Sequence, residues 1–456
     1  MPVLKPQIFK ANDIRGVVGD EWDVAGARAL GLAYAQIMPD RRIVVSRDMR
    51  VTGPEIQTAF IDGVTAGGVS VVDVGLASTD GLWFAAGLLD LPGVQVTSSH
   101  NPSRYNGLKF CLAQAKPVSP EFLARLAELA QSIDAGEVAP PLAQPGTVEQ
   151  RDVLDDYVAF LLSRVDLDGM RHLKVVVDAG NGMGGHTAPA VFSHLDVELI
   201  GLFLDLDGSF PNHQPNPLAP ENLVDAQAMV RQTGADLAIV FDGDADRAFV
   251  IDERGEVVPP SAITAMIAVQ ELQSEPQATI VINTITSSAV PEIVAEHGGK
   301  VVESRVGHTY MKALMAEHGA VFGGEHSAHY YFRDFFGADT GMLAALHVMA
   351  SLGRSDQPLS VLAGQFSRYV GSGEINSEVA DQQGEMEKVA AALTDHGTAA
   401  GVEARWGDGV KIVGADWWVS LRPSNTEPLL RLNVEARETA VMEEFRDRVL
   451  ALIREA

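Results

Sequence analysis

The sequence predicts an α/β protein built of consecutive blocks, and three observations carry that expectation. Short β-rich runs such as RRIVVSRD, VSVVDVG and GVQVTSS alternate with longer helix-like stretches such as GPEIQTAFIDGVTAGG. Such alternation is typical of α/β units with mostly parallel strands. At 456 residues the chain is also too long for one ordinary core. Finally, each block carries one polar loop after a strand: TSSHNP, FDGDADR, GEHSAH and RPSNTEP, in that order. Ligands of α/β sheets bind at the carboxyl ends of the strands, so the four loops are expected to face a common cleft.

Composition sets outer limits. Apolar residues make up 46% and charged residues 21%, as in folded soluble proteins. No apolar run approaches the roughly 18 residues needed to span a bilayer, and MPVLKPQIFK lacks the hydrophobic core of a signal peptide. The single cysteine, Cys111, excludes an internal disulfide framework and fits a reducing cytoplasm. A formal net charge of −27 repels nucleic acid and anionic membranes, so neither is an expected partner. An anionic substrate would need cations gathered locally against that field.

The first block, residues 1–150, contains the strand-like LPGVQV, which breaks into Ser98, Ser99, His100 and the turn-forming Asn101-Pro102. Lys109 follows two residues beyond a glycine. A plain turn explains such residues; a loop presenting a hydroxyl and an imidazole is the other reading. KANDIRGVVG offers Lys10 and Arg15, and the Pro-rich EVAPPLAQPGTVEQ reads as a linker near residue 150.

The second block, 151–256, opens with HLKVVVDAGNGMGG. Gly180 to Gly185 fit the GxGxxG spacing of dinucleotide sites, and Asp205 lies where a ribose-binding acid would be sought. Glycines also serve tight turns, so the match alone is weak. ADLAIVFDGDADRAFVIDERGEVV then reads as two strands around an acidic loop. Asp242, Asp244 and Asp246 repel one another unless a cation joins them, and hard divalent ions prefer oxygen ligands. A calcium EF-hand is rejected, because Arg247 stands where that loop needs glycine and the flanks are β-like. Magnesium fits better, since it accepts few carboxylates and keeps a position for a phosphate oxygen. A solvated acidic turn is the alternative. Arg247 beside the aspartates makes sense if an anion also comes near.

The third block, 257–365, holds VGHTYMK, with His308 and Lys312, and GEHSAH, with Glu325, Ser327 and His329. A carboxylate and a hydroxyl together suit sugar hydroxyls, and a histidine can move a proton near neutral pH. The last block, 366–456, pairs the strands DWWVSLRPS and PLLRLNVEA, which look antiparallel. It closes with a helix whose face is marked by Val441, Phe445, Val449 and Leu452. Its loop combines Arg422 with Ser424, Asn425 and Thr426, which makes either a phosphate cradle or an ordinary capped turn.

Taken together, the serine loop, DGDADR, GE-x-S-x-H and R-x-SNT-x-P resemble, in order and spacing, those of the α-D-phosphohexomutase superfamily. Within it the chain is most similar to the bacterial phosphomannomutase/phosphoglucomutase group, over essentially its full length. The resemblance implies three related α/β domains plus a smaller C-terminal α+β domain around a central active-site cleft. It implies a cytoplasmic isomerase acting on a small phosphosugar, monomeric or homodimeric, and no dinucleotide. By the same resemblance Ser99 carries a phosphoryl group, and Asp242, Asp244 and Asp246 bind Mg²⁺ together with a phosphoserine oxygen. Glu325 and Ser327 match sugar contacts, and Arg422, Ser424, Asn425 and Thr426 match a clamp on the phosphate that is not reacting. Arg15, His100, Lys109, Arg247, His308 and His329 match the remaining active-site groups.

The implied reaction interconverts hexose 1-phosphate and 6-phosphate through a bound hexose 1,6-bisphosphate. Arg247 and Lys109 neutralise charge, and His329 or Lys109 acts as base. Two positions depart from the family: Ile285 where many relatives carry lysine, and Asn12 where an aromatic residue is common. A phosphoglucosamine mutase would usually read GEQSGH and DNG, whereas this chain has GEHSAH and YNG. A metal-dependent sugar-phosphate phosphatase and a non-catalytic phosphosugar binder are the other rivals.

Overall fold

The computed structural model describes residues 4–137, 144–394, 401–424 and 428–454. The chain forms two compact units. The first takes residues 1–258, 315–322 and 327–362, and the second takes 259–314, 323–326 and 363–456. The division therefore passes through the third block of the sequence.

In the first unit, a six-stranded sheet runs in the order Ile14–Val17, Tyr105–Cys111, Gly93–Val96, Arg42–Arg47, Ser70–Leu76, Val148–Gln150. The last four are parallel to their neighbours and the first two are antiparallel additions at one edge. Ile43, Val44 and Val45 are all buried, as expected for a central strand covered on both faces. The helices Val24–Ile37 and Gly53–Ala66 meet through glycines. A Cβ on Gly31 would lie 2.1 Å from the Phe60 carbonyl oxygen, and one on Gly63 would lie 2.2 Å from that of Arg28. Their backbones can touch only because both side chains are absent.

The expected linker is partly ordered structure. Residues 138–143 of it lie outside the described chain, and Val148–Gln150 pairs in parallel with Ser70–Leu76. The pairing is made by backbone groups that an open sheet edge leaves free. All three side chains are exposed, so no hydrophobic pattern announces the strand.

A second sheet runs Val257–Val258, Ala248–Asp252, Leu237–Phe241, Leu173–Asp178, Val197–Leu202. Leu237–Phe241 and Ala248–Asp252 are antiparallel and buried throughout, so the acidic loop joins two strands as the sequence suggests. Also in this unit, Tyr330–Phe332 pairs antiparallel with Ala338–Asp339, followed by the buried helix Gly341–Gly353.

In the second unit, Thr279–Asn283 pairs in parallel with Lys300–Ser304, accompanied by the helices Pro260–Ser274 and Ala289–Glu296. The C-terminal sheet is wholly antiparallel, with Trp417–Pro423 paired along its length to Leu429–Ala436. Val419, Leu421, Leu430, Leu432 and Val434 fill its core against the helices Gln382–Thr394 and Thr439–Arg454. The expected helix face is present but wider. Val449 is buried and Val441, Phe445 and Leu452 pack partly, while Met442 and Ile453 are buried beside them. Among the described residues no helix is long and apolar enough to cross a membrane.

Candidate active site

Gly93–Val96 delivers the serine loop at its carboxyl end. Ser99 adopts left-handed backbone at φ 50°, which costs a side-chain-bearing residue roughly 1–3 kcal/mol and persists only where its surroundings enforce it. Its amide donates to Thr97 Oγ1 at 2.9 Å. Its hydroxyl donates to Asp242 Oδ2 at 3.2 Å and lies 3.2 Å from His100 Nδ1. The adjacent Ser98 Oγ is buried with no hydrogen-bond partner among the described residues. Asn181, Ala245 and Ala328 are also left-handed. Strained backbone therefore recurs in the glycine loop, the acidic loop and GEHSAH.

The acidic loop packs directly on the serine loop. A Cβ on Gly243 would lie 2.5 Å from the Ser99 carbonyl oxygen, so the position between two aspartates must be glycine. Gly182 makes a similar approach, its Cβ falling 2.6 Å from the Gly243 oxygen. Close packing is thus one use of the GNGMGG glycines.

Asp242, Asp244 and Asp246 are buried and offer oxygens within 4.8 Å of one another. Lys109 Nζ reaches Asp244 Oδ2 at 2.7 Å and Asp246 Oδ2 at 2.6 Å. Arg247 holds Asp242 Oδ2 through Nε at 2.9 Å and Nη2 at 2.8 Å. Three carboxylates thus face two fixed cations. Asp244 Oδ1 and Asp246 Oδ1 are buried with no hydrogen-bond partner among the described residues. Orphaned buried oxygens of this kind need an explanation, and a hard divalent cation supplies one. The donor set fits Mg²⁺.

The neighbours split the carboxylates electrostatically. Burial pushes Asp242 well above the usual carboxylate range, although Arg247 pulls it down. Burial acts on Asp244 as well, but Lys109 overrides it and holds this carboxyl below that range. For Lys109, burial favours the neutral amine and the two aspartates reverse it, leaving the ammonium more firmly protonated than an ordinary lysine. His100 is driven well below the normal histidine range by burial and by Arg247 and Arg15.

Ser327 and His329 join the same unit. Ser327 Oγ lies 3.0 Å from His329 Nδ1, and His329 Nε2 lies 3.7 Å from Asp246 Oδ1. A backbone bridge between Arg247 and His329 sets that placement. Arg15 Nη1 donates to Asn101 Oδ1 at 2.7 Å, which fixes it beside the serine loop.

The second unit gathers the other expected residues. Glu325 Oε2 accepts from Asn283 Nδ2 at 3.1 Å and from the Gly307 amide at 3.3 Å, next to His308, which opens the helix His308–His318. Arg422 is buried against Glu374 Oε2 at 3.0 Å and Asp408 Oδ2 at 3.8 Å. Its Nε meets no hydrogen-bond acceptor among the described residues. Ser424 is buried and donates its amide to the Leu429 carbonyl. Asn425 and Thr426 lie outside the described residues. Ile285 is buried.

Thr79, Thr97, Asp48 and Arg50 were not singled out by the sequence. Thr79 Oγ1 donates to Asp244 Oδ2 at 2.6 Å, and Thr97 Oγ1 donates to Asp48 Oδ2 at 2.7 Å. For the Asp48–Arg50 pair a signal existed: SRDMR is another polar, charged segment after an apolar strand run.

Residues 6–137, 155–255 and 259–369 match alpha/beta/alpha domains I, II and III of phosphoglucomutase/phosphomannomutase, and residues 374–452 match its C-terminal domain. The chain is 37% identical to a phosphomannomutase of Escherichia coli, over 98% of this chain and 99% of that protein. It is 35% identical to a phosphomannomutase/phosphoglucomutase of Pseudomonas putida, over 97% and 95% respectively. A solved phosphoglucomutase/phosphomannomutase family protein from Burkholderia thailandensis superposes with a TM-score of 0.87 at 34% identity, covering 98% of this chain and 97% of that one. With all four domains matched and a third of its residues shared with full-length relatives, the chain belongs to the phosphoglucomutase/phosphomannomutase family of phosphohexomutases, which are isomerases.

Proposed function

We propose that the chain interconverts the 1- and 6-phosphates of mannose and glucose by relaying a phosphoryl group through Ser99. The observation that carries this reading is the Ser99 hydroxyl, 3.2 Å from Asp242 within a buried carboxylate cluster that also holds Lys109. In the proposed reaction, the bond from phosphorus to Ser99 Oγ breaks as the free hydroxyl of a hexose monophosphate bonds to phosphorus. The resulting hexose 1,6-bisphosphate turns end for end, and its other phosphate returns to Ser99.

Phosphoryl transfer depends mainly on alignment and charge neutralisation. Lys109 and Arg247 supply fixed positive charge beside Ser99. Mg²⁺, held by Asp242, Asp244, Asp246 and an oxygen on Ser99, would add Lewis-acid neutralisation when bound. Arg15 and His100 line the serine loop and orient the donor. Of the two candidate bases, Lys109 is kept protonated by its aspartates and suits neutralisation. His329 Nε2 therefore takes the sugar hydroxyl's proton, while Ser327 holds Nδ1. Arg422, Ser424, Asn425, Thr426 and His308 grip the phosphate that is not reacting, and Glu325 and Ser327 bond sugar hydroxyls. The names of the relatives support mannose and glucose as the sugars, and the single cysteine fits a cytoplasmic enzyme.

Incubation with mannose 1-phosphate and catalytic glucose 1,6-bisphosphate tests the reading. Mannose 6-phosphate is the expected product. Free phosphate would identify a hydrolase, and binding without turnover a non-catalytic binder.

A further inference from the structure

Arg50 has no contact with any of the three aspartates of the acidic loop among the interactions described above, yet it is among the most thoroughly engaged side chains in the molecule. It is 1% exposed. Nη2 donates to the Ser99 carbonyl at 2.8 Å and the Asn101 carbonyl at 2.7 Å. Nη1 donates to the carbonyls of Pro102 at 3.0 Å and Tyr105 at 2.9 Å. Nε lies 3.3 Å from Asp48 Oδ2. A guanidinium has five N–H donors in a planar fork; here both Nη atoms donate to two carbonyls each, while Nε makes an ion pair with Asp48 but no hydrogen bond. The ring of Phe210 covers the group at 5.3 Å.

The same pair reaches the other side of the Ser99 backbone. Asp48 Oδ2 accepts the Thr97 hydroxyl, whose oxygen accepts the Ser99 amide. Ser99 is thus gripped at its carbonyl by Arg50 and at its amide through Asp48 and Thr97. These are the two groups whose directions define its left-handed conformation. Because the peptide is planar and trans, drawing the Ser99 carbonyl toward Arg50 turns the His100 N–H away from the guanidinium. An outward amide beside a serine hydroxyl is a donor for a bound anion.

We infer that the Asp48–Arg50 pair is a positioning device for phosphoryl transfer, with Arg50 holding the serine loop in the one shape that places Ser99 Oγ against Asp242. The inference rests on the phosphoserine reading above. The local turns, Asn101 amide to Ser98 carbonyl and Tyr105 amide to Pro102 carbonyl, each span only four residues. Arg50 alone ties oxygens from residue 99 to residue 105 to one rigid plane. Lysine cannot replace it, since an ammonium has no fork.

Two variants test this: Arg50→Lys, and Arg50→Met combined with Asp48→Asn, which leaves no buried charge uncompensated. Both are first checked for cooperative thermal unfolding. The rate at which glucose 1,6-bisphosphate adds phosphate to Ser99 is then followed by intact mass, alongside kcat, KM and hydrogen exchange of loop amides 98–107. A displaced reactive group costs on the order of 100-fold in rate. Both phosphate uptake and kcat should therefore fall by about that factor, with KM changed by less than about threefold and faster exchange confined to the loop. Wild-type uptake with undiminished uptake in either folded variant overturns the inference alone, as does a loss that appears only in KM. A wild-type chain that takes up no phosphate at Ser99 overturns the phosphoserine reading itself, and this inference with it.

Discussion

Asp242 and Asp244 stand two residues apart in one loop, yet their surroundings drive them in opposite directions. Arg247 grips Asp242 but burial prevails, whereas Lys109 and the Thr79 hydroxyl secure the charge on Asp244. Asp244 also keeps a buried Oδ1 with no hydrogen-bond partner among the described residues, an oxygen available to a cation. Asp244→Asn should weaken Mg²⁺ binding in titration calorimetry and lower kcat by ~10²-fold or more; full activity in chelator would refute the metal role. If Arg422 clamps the distal phosphate as proposed, Arg422→Lys should lose the bidentate fork and raise KM by an amount worth about 1–3 kcal/mol. A change in kcat with KM untouched would contradict a clamp. Ser99, the aspartates and Arg422 were legible because each lies in a contiguous motif whose side chains share one chemistry. Thr79 was not, because its partner Asp244 is 165 residues away and a threonine at a helix start ordinarily reads as a cap.

The N-terminus of the helix Thr79–Leu89 ties distant segments together. Ser78 caps the helix by accepting from the Gly81 amide, and Thr79 holds the acidic loop. Asp80 accepts hydroxyl protons from Tyr157 at 2.7 Å and Thr340 at 2.7 Å, as well as from Ser78. Burial pushes Asp80 up to about 6 from the ordinary 3.8, even though its three hydroxyl donors favour the carboxylate. Because the folded chain holds this proton more tightly than the unfolded one, the contribution to stability is complete below about pH 3.8 and is lost as pH rises through about 6. The shift corresponds to on the order of 3 kcal/mol. Asp80→Asn is expected to destabilise at every pH, but by less at pH 7 than at pH 4, measured by urea unfolding at both. A deficit independent of pH would show that Asp80 does not titrate differently on folding. The strands with buried apolar runs and the amphipathic C-terminal helix were legible at this scale. The edge strand Val148–Gln150 was not, because backbone pairing of exposed residues leaves no periodic signature.

On the scale of the whole molecule, a net charge of −27 opposes the approach of an anionic substrate. The described cations answer it locally: Arg15, Lys109 and Arg247 in the first unit and Arg422 in the second. The order of four blocks with four loops was readable because each loop follows its own strand, whereas the path of the unit division through residues 257–365 depends on packing that no local pattern encodes. Sugar preference follows from what the site lacks. Mannose and glucose differ only at C2, no residue proposed above is placed by its motif to read that position, and Ile285 is apolar and buried. A site that does not bond the differing hydroxyl discriminates weakly, so kcat/KM for the two 1-phosphates should agree within about tenfold, or ~1.4 kcal/mol. Glucosamine phosphate should be much poorer. A preference on the order of a thousandfold between the neutral hexoses would reveal a C2-reading group. The relay through Ser99 is tested most directly by intact mass of the active protein after exposure to glucose 1,6-bisphosphate. One added phosphate that survives Ser98→Ala and vanishes in Ser99→Ala is the predicted result; a phosphate lost with Ser98 and retained without Ser99 would contradict it.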